Sequence, residues 1–149
     1  MQLKDQLCFK LYVLSRQMTN LYRPLLDQLD ITYPQYLVML VLWQEKQLSV
    51  KELGIRLHLD SGTLTPLLKR LEQKAFLTRK RDVKDERSVL IGLTPNGEAM
   101  EERAQSIPEQ LQKCLKLTES DYTQIKTTLD NMLMNIEQFS DQATHNIEQ

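Results

Sequence analysis

Residues 49 to 93 constrain this chain more than any other stretch, because their hydrophobic period changes from helical to extended and each change is punctuated. Ser49-Val50-Lys51-Glu52 opens a helix with a capping box, in which the Ser hydroxyl and the Glu carboxylate satisfy each other's backbone donors. Val50, Leu53 and Leu57 keep a single apolar face. Leu59-Asp60-Ser61-Gly62 then leads into a second helix with Leu64, Leu67, Leu68 and Leu71 on one side. At about 100° per residue, its other side shows Gly62, Thr65, Pro66, Lys69, Arg70 and Gln73. Pro66 is tolerated only near a helix start, which places that start between Ser61 and Thr63. Leu77 to Val83 and Arg87 to Leu93 follow as two strands, with Val89, Ile91 and Leu93 alternating inward around the charged tip Asp82-Val83-Lys84-Asp85-Glu86.

Helix, turn, helix and basic hairpin in that order form the winged-helix arrangement, which lays its second helix in a DNA major groove. Solvated surface charge is the plain alternative, and charge distribution argues against it. Residues 69 to 87 hold eight Lys or Arg against four Asp or Glu, a local net of +4 in a chain whose total is −1. A near-neutral chain that gathers its positive charge on one helix and the adjoining hairpin suits a phosphate backbone. Ser61, Thr63 and Thr65 offer short hydrogen-bonding groups to base edges, and Lys69 and Arg70 reach bases or phosphates. Arg79, Lys80, Arg81 and Lys84 are expected to supply phosphate contacts, although alternation along a strand forbids Arg79 to Arg81 from all facing one way.

Two further segments belong beside these: Gln6-Leu7-Cys8-Phe9-Lys10-Leu11-Tyr12 and Ile31-Thr32-Tyr33-Pro34-Gln35-Tyr36-Leu37. Together with Leu59 to Glu72 and Asp85-Glu86-Arg87-Ser88-Val89-Leu90-Ile91-Gly92-Leu93-Thr94, they resemble the MarR family of bacterial winged-helix regulators, and within it the organic-hydroperoxide sensors of the OhrR branch. The resemblance covers residues 3 to 108 and weakens beyond. It implies that Arg87, oriented by Asp85 of an Asp-x-Arg motif, enters the minor groove at the hairpin tip, where a narrow A·T tract suits it best. It also implies that Cys8 is the redox sensor, hydrogen-bonded by Tyr22 and Tyr33, with Phe9 and Tyr12 shaping its pocket.

The residues alone leave Cys8 open. On a helix, Cys8, Tyr12, Ser15, Thr19 and Tyr22 fall in one narrow band, yet a small apolar cysteine packed among aromatics is the commoner case. A sensor must be a reachable thiolate, and tyrosine hydroxyls can donate to one. An apolar surround of Phe9, Leu11 and Leu37 favours alkyl or lipid hydroperoxides over hydrogen peroxide. Some members of the branch resolve the oxidised sensor with a small cellular thiol. Others use a second cysteine near the start of the C-terminal helices, from the other subunit. Cys114 is the candidate for that role, with a buried core position as its alternative.

The chain reads as mainly α (α+β): a winged helix-turn-helix with dimerisation helices at both ends. Residues 1–30 form an N-terminal helix for dimerisation and the sensor, residues 31–98 the DNA-binding domain, and residues 99–149 the C-terminal dimerisation helices. Leu7, Leu11, Leu14, Met18, Leu21 and Leu25 make a heptad seam in a helix expected over residues 3 to 28, with Pro24 marking a bend near its end. Thr32-Tyr33-Pro34-Gln35 caps a buried helix in which Trp43 reads as core, and Leu48 reads as a short strand beside the hairpin. Thr94-Pro95 starts a helix that Pro108 is expected to kink or interrupt. Thr118 starts the last helix, where Tyr122, Ile125, Leu129, Met132, Ile136 and Phe139 again step by three and four.

Paired seams and a groove-reading helix point to a two-fold homodimer on a pseudo-palindromic operator. No apolar run is long enough to span a membrane, so a cytoplasmic protein is expected, with no metal and no cofactor. The leading function is a repressor that leaves its operator when organic hydroperoxide oxidises Cys8, freeing a peroxide-detoxification gene. The rivals are a regulator answering a phenolic ligand or a global oxidation signal, an architectural DNA binder, and a thiol peroxidase. The last is disfavoured, since the chain has no thioredoxin-like βαβ pattern and an enzyme needs no basic hairpin.

Overall fold

A computed structural model describes residues 2–83, 85 and 87–145. The chain forms two compact units, residues 1–108 and 109–149. In the first, a short 3-10 turn (Leu3–Asp5) precedes α1 (Leu7–Asp27), α2 (Tyr33–Glu45), β1 (Gln47–Ser49), α3 (Val50–Leu57), α4 (Ser61–Gln73), β2 (Leu77–Arg81), β3 (Val89–Leu93) and α5 (Pro95–Ala104). Helix α6 (Ile107–Leu115) runs into the second unit, which also holds α7 (Glu119–His145).

The predicted caps are present. Thr32 and Gln35 form one capping box, and Ser49 and Glu52 another, with Glu52 Oε2 accepting from Ser49 N at 2.8 Å and Glu52 N donating to Ser49 Oγ at 3.2 Å. The three strands are antiparallel in the order β1-β3-β2; Leu48 faces Ile91, and Arg79 faces Ile91 from the other side. Leu48 is therefore strand, as its position in the sequence suggests.

The core is built by α2 to α5 and the three strands, with α1 joining it at its last turns through Leu26. Val38, Met39 and Leu42 of α2, Leu53 of α3, Leu64, Leu68 and Leu71 of α4, Ile91 of β3 and Met100 of α5 are fully buried together. Trp43 belongs to the same cluster, its indole Nε1 donating to Gly97 O at 2.9 Å. Because α4 spends its leucines inward, its polar side is left facing outward.

Three expected boundaries differ. The N-terminal helix starts at Leu7 rather than residue 3, since Gln6 is extended and separates it from the 3-10 turn; Pro24 lies within α1. The hairpin strands are shorter, Leu77–Arg81 and Val89–Leu93; one further cross-strand bond runs from Asp82 N to Ser88 O, and Ser88 N donates to Asp85 O in the turn at the tip. Pro108 occupies the second position of α6, where a missing N–H costs nothing, and the break falls before it at Gln105 and Ser106. No helix among the described residues is long and apolar enough to cross a membrane.

Candidate functional site

Helix α4 begins on Asp60, whose carboxylate accepts from Thr63 N and Thr63 Oγ1, both at 2.8 Å. These two bonds hold the Asp60 carboxyl below its ordinary value, so the cap stays ionised and complements the positive end of the helix. Ser61, Thr63, Thr65, Lys69 and Arg70 all lie on the exposed side, opposite the buried leucines. The Thr65 hydroxyl donates back to Ser61 O at 2.7 Å. Among the described residues neither Lys69 nor Arg70 is in an ion pair, and both side chains are exposed.

The wing presents Lys80 and Arg81 as exposed side chains. Arg79 differs: its Nε donates to Glu72 Oε2 at 2.8 Å and its Nη2 lies 2.6 Å from the same oxygen, both partners being about one-third exposed. At the tip, Asp85 Oδ1 accepts from the backbone N–H of Arg87 at 3.1 Å, and Ser88 N donates to Asp85 O at 2.8 Å. Asp85 thus fixes Arg87 through its main chain, and the Arg87 side chain is exposed. Val83 beside it is 98% exposed. Lys84 lies outside the described residues.

The thiol site is divided along α1. Cys8 is exposed in the first turn of that helix, which has no side-chain cap and no acidic residue. Phe9 is half-buried, and the exposed Tyr12 accepts from Arg16 Nη1 at 3.0 Å, the same guanidinium lying 5.6 Å from its ring centroid. Tyr22 and Tyr33 do stand together, with ring centroids 4.7 Å apart, and Tyr36 continues the stack at 5.8 Å from Tyr22. They lie at the other end of the helix. Fourteen residues at 1.5 Å each separate Cys8 from Tyr22 by about 21 Å along the axis, beyond any contact within one chain. Burial raises the phenol of Tyr33 above its ordinary value, and that of Tyr36 likewise, aided by Tyr33. Cys114 is exposed on α6.

Sequence reasoning did not find the Glu72–Arg79 pair, because it joins a helix to a strand across a turn and carries no spacing rule. Nor did it find Lys74, which caps α4 and bonds to Asp30 in the α1–α2 connection, with its Nζ 2.8 Å from the Asp30 carboxylate.

A family profile described as the transcriptional regulator SarA/Rot matches residues 20–107. The organic hydroperoxide resistance transcriptional regulator of Bacillus subtilis is 51% identical over 138 residues, covering 93% of this chain and 94% of that one. Among solved structures, reduced AbfR bound to DNA superposes with a TM-score of 0.80 at 37% identity, over 92% of this chain and 94% of that one. Disulfide-formed AbfR superposes with a TM-score of 0.63 at 37% identity, over 93% and 92%. With its winged-helix fold and these relatives, the chain belongs to the MarR family of transcriptional regulators, in the branch of the organic hydroperoxide regulators.

Proposed function

We propose that this protein is a homodimeric DNA-binding repressor that senses organic hydroperoxides through Cys8 and releases its operator on oxidation. It acts in the cytoplasm, as a regulator and not as an enzyme. The observation that carries the reading is the Tyr22–Tyr33 pair, set at the opposite end of α1 from an exposed Cys8. Antiparallel pairing of two α1 helices in a two-fold dimer brings the phenols of one subunit to the thiol of the other. Each site is then completed by the partner.

The chemistry follows from that placement. Tyr22 and Tyr33 donate to the Cys8 thiolate, which also faces the positive end of α1. Sulfur attacks the terminal peroxide oxygen and the O–O bond breaks. The alkoxide takes a proton to leave as an alcohol, and Cys8 becomes a sulfenic acid. The thiol of Cys114 from the partner, or of a small cellular thiol, then attacks the sulfenic sulfur; water leaves and a disulfide remains. AbfR, which has been solved both reduced on DNA and in a disulfide form, supports a cycle of this kind. A bond at Cys8 repacks the helices that join the two reading heads and changes their spacing. Ser61, Thr63, Thr65, Lys69 and Arg70 read the major groove, Lys80 and Lys84 hold phosphates, and Arg87 enters the minor groove.

A gel shift on the promoter upstream of the protein's own gene tests this, with wild type, Cys8→Ser and Cys114→Ser each treated with cumene hydroperoxide. Wild type is expected to leave the DNA while Cys8→Ser stays bound. On a non-reducing gel, a dimer-sized band absent from Cys114→Ser assigns the second cysteine. Release of Cys8→Ser as readily as wild type defeats the redox reading and leaves a ligand-responsive regulator.

A further inference from the structure

Glu72 is an odd residue for its place. It lies one position before the end of α4, where the negative end of the helix dipole repels a carboxylate, and on the one helix otherwise built to meet phosphates. Its Oε2 accepts from Arg79 Nε at 2.8 Å and lies 2.6 Å from Nη2 of the same guanidinium. Both side chains are about one-third exposed, so the pair keeps more of its Coulomb energy than a solvated one. Arg79 is the central residue of β2, the strand that carries the wing. Between the partners the chain turns at Lys74 to Phe76, with Ala75 in the left-handed region at φ 57°. That turn is held on its other side by Thr94, whose Oγ1 donates to Ala75 O at 2.6 Å and whose N donates to Phe76 O at 3.2 Å.

We propose that Arg79 is a positioning residue, clasping the wing to the recognition helix through Glu72 and so aiming Arg87, instead of contacting a phosphate itself. The proposal rests on the DNA-binding reading of α4 and the wing. A guanidinium hydrogen-bonded and ion-paired to a carboxylate has its charge compensated, so it adds little to the field that draws a phosphate. What it fixes is an angle. The recognition helix and the wing address different grooves, and only a set angle lets both engage at once.

The two roles predict opposite results for Glu72→Gln. If Arg79 contacts phosphate, removing the nearby carboxylate strengthens operator binding, and Arg79→Gln lowers the salt slope of log K by about 0.9. If Arg79 positions the wing, Glu72→Gln and Arg79→Gln each weaken operator binding by about tenfold, the worth of one displaced base-reading arginine, with the salt slope unchanged. The double variant is then no weaker than either single one, and neither change adds any loss in an Arg87→Ala background. Hydrogen exchange on the DNA-free dimers gives a second measure, with faster exchange of the β2–β3 amides expected in both variants and unchanged exchange in α2. Tighter binding by Glu72→Gln, a lower slope in Arg79→Gln or unchanged wing exchange each overturns the proposal. Failure of the wild-type dimer to prefer its operator counts against the DNA-binding reading, while the exchange measurement still decides the clasp.

Discussion

In the proposed sensor, the Tyr33 phenol must remain a donor while the Cys8 thiolate forms beside it. Burial raises its pKa from the ordinary 10.0, so the proton stays on oxygen throughout the range in which a thiol ionises. Tyr33→Phe keeps the ring against Tyr22 and removes only the donor. A hydrogen bond to a charged group is worth about 1.5–3 kcal/mol, so oxidation of Cys8 by cumene hydroperoxide should slow by about tenfold or more at neutral pH. Stopped-flow thiol loss measures this directly. In wild type, loss of the Tyr33 proton should cause no decline in the rate below about pH 10, since the phenol is shifted up, not down. An unchanged rate in Tyr33→Phe removes that residue from the sensor. The sequence places Cys8 and Tyr22 in one band of a helix, and it is the family resemblance that implies a hydrogen bond between them. The structure separates them by the length of the helix. What a periodic stripe shows is a shared face, and a shared face says nothing of distance along the axis.

At the scale of elements, Gly97 shows why some signals need the fold to be read. In the sequence it is part of Thr94-Pro95-Asn96-Gly97, a helix start like many others. In the structure the first turn of α5 presses on the elbow between α4 and β2 so closely that a Cβ on Gly97 would lie 1.9 Å from Phe76 O. The obstacle is backbone, which cannot swing aside, and Trp43 holds Gly97 from the other side through its carbonyl. Gly97→Ala should therefore cost at least the 1–3 kcal/mol typical of overpacking and lower the thermal midpoint by several degrees. A melt within one degree of wild type would show that α5 is free to lift. Helix type, the two capping boxes and the buried face of α4 were all legible, because each follows from a local pattern. The start of α1, the closing of the hairpin tip and the Glu72–Arg79 clasp were not, because each depends on a hydrogen bond or ion pair formed only when the chain is folded.

The whole molecule is larger than one chain. Leu7, Leu14 and Leu21 of α1 remain substantially exposed, as do Ile125, Leu129, Ile136 and Phe139 of α7, in seams whose spacing suits a second helix. In the proposed homodimer a partner covers these seams and also decides whose tyrosines serve which cysteine, and mixed dimers can read this out. A subunit carrying Cys8→Ser with intact tyrosines can be paired with one carrying Tyr22→Phe and Tyr33→Phe with intact Cys8, the two bearing different affinity tags. If sites are built across the interface, the one remaining Cys8 faces two intact phenols and should react with cumene hydroperoxide at the wild-type rate. The reciprocal dimer pairs a wild-type subunit with one carrying Cys8→Ser, Tyr22→Phe and Tyr33→Phe. Its single Cys8 then faces two phenylalanines, so it should react as slowly as the dimer that lacks all four phenols. Sites contained within single chains would give the opposite pattern. Some 21 Å of helix between Cys8 and Tyr22 makes the first pattern the one expected, and it turns the dimer from a requirement of the operator into a requirement of the sensor.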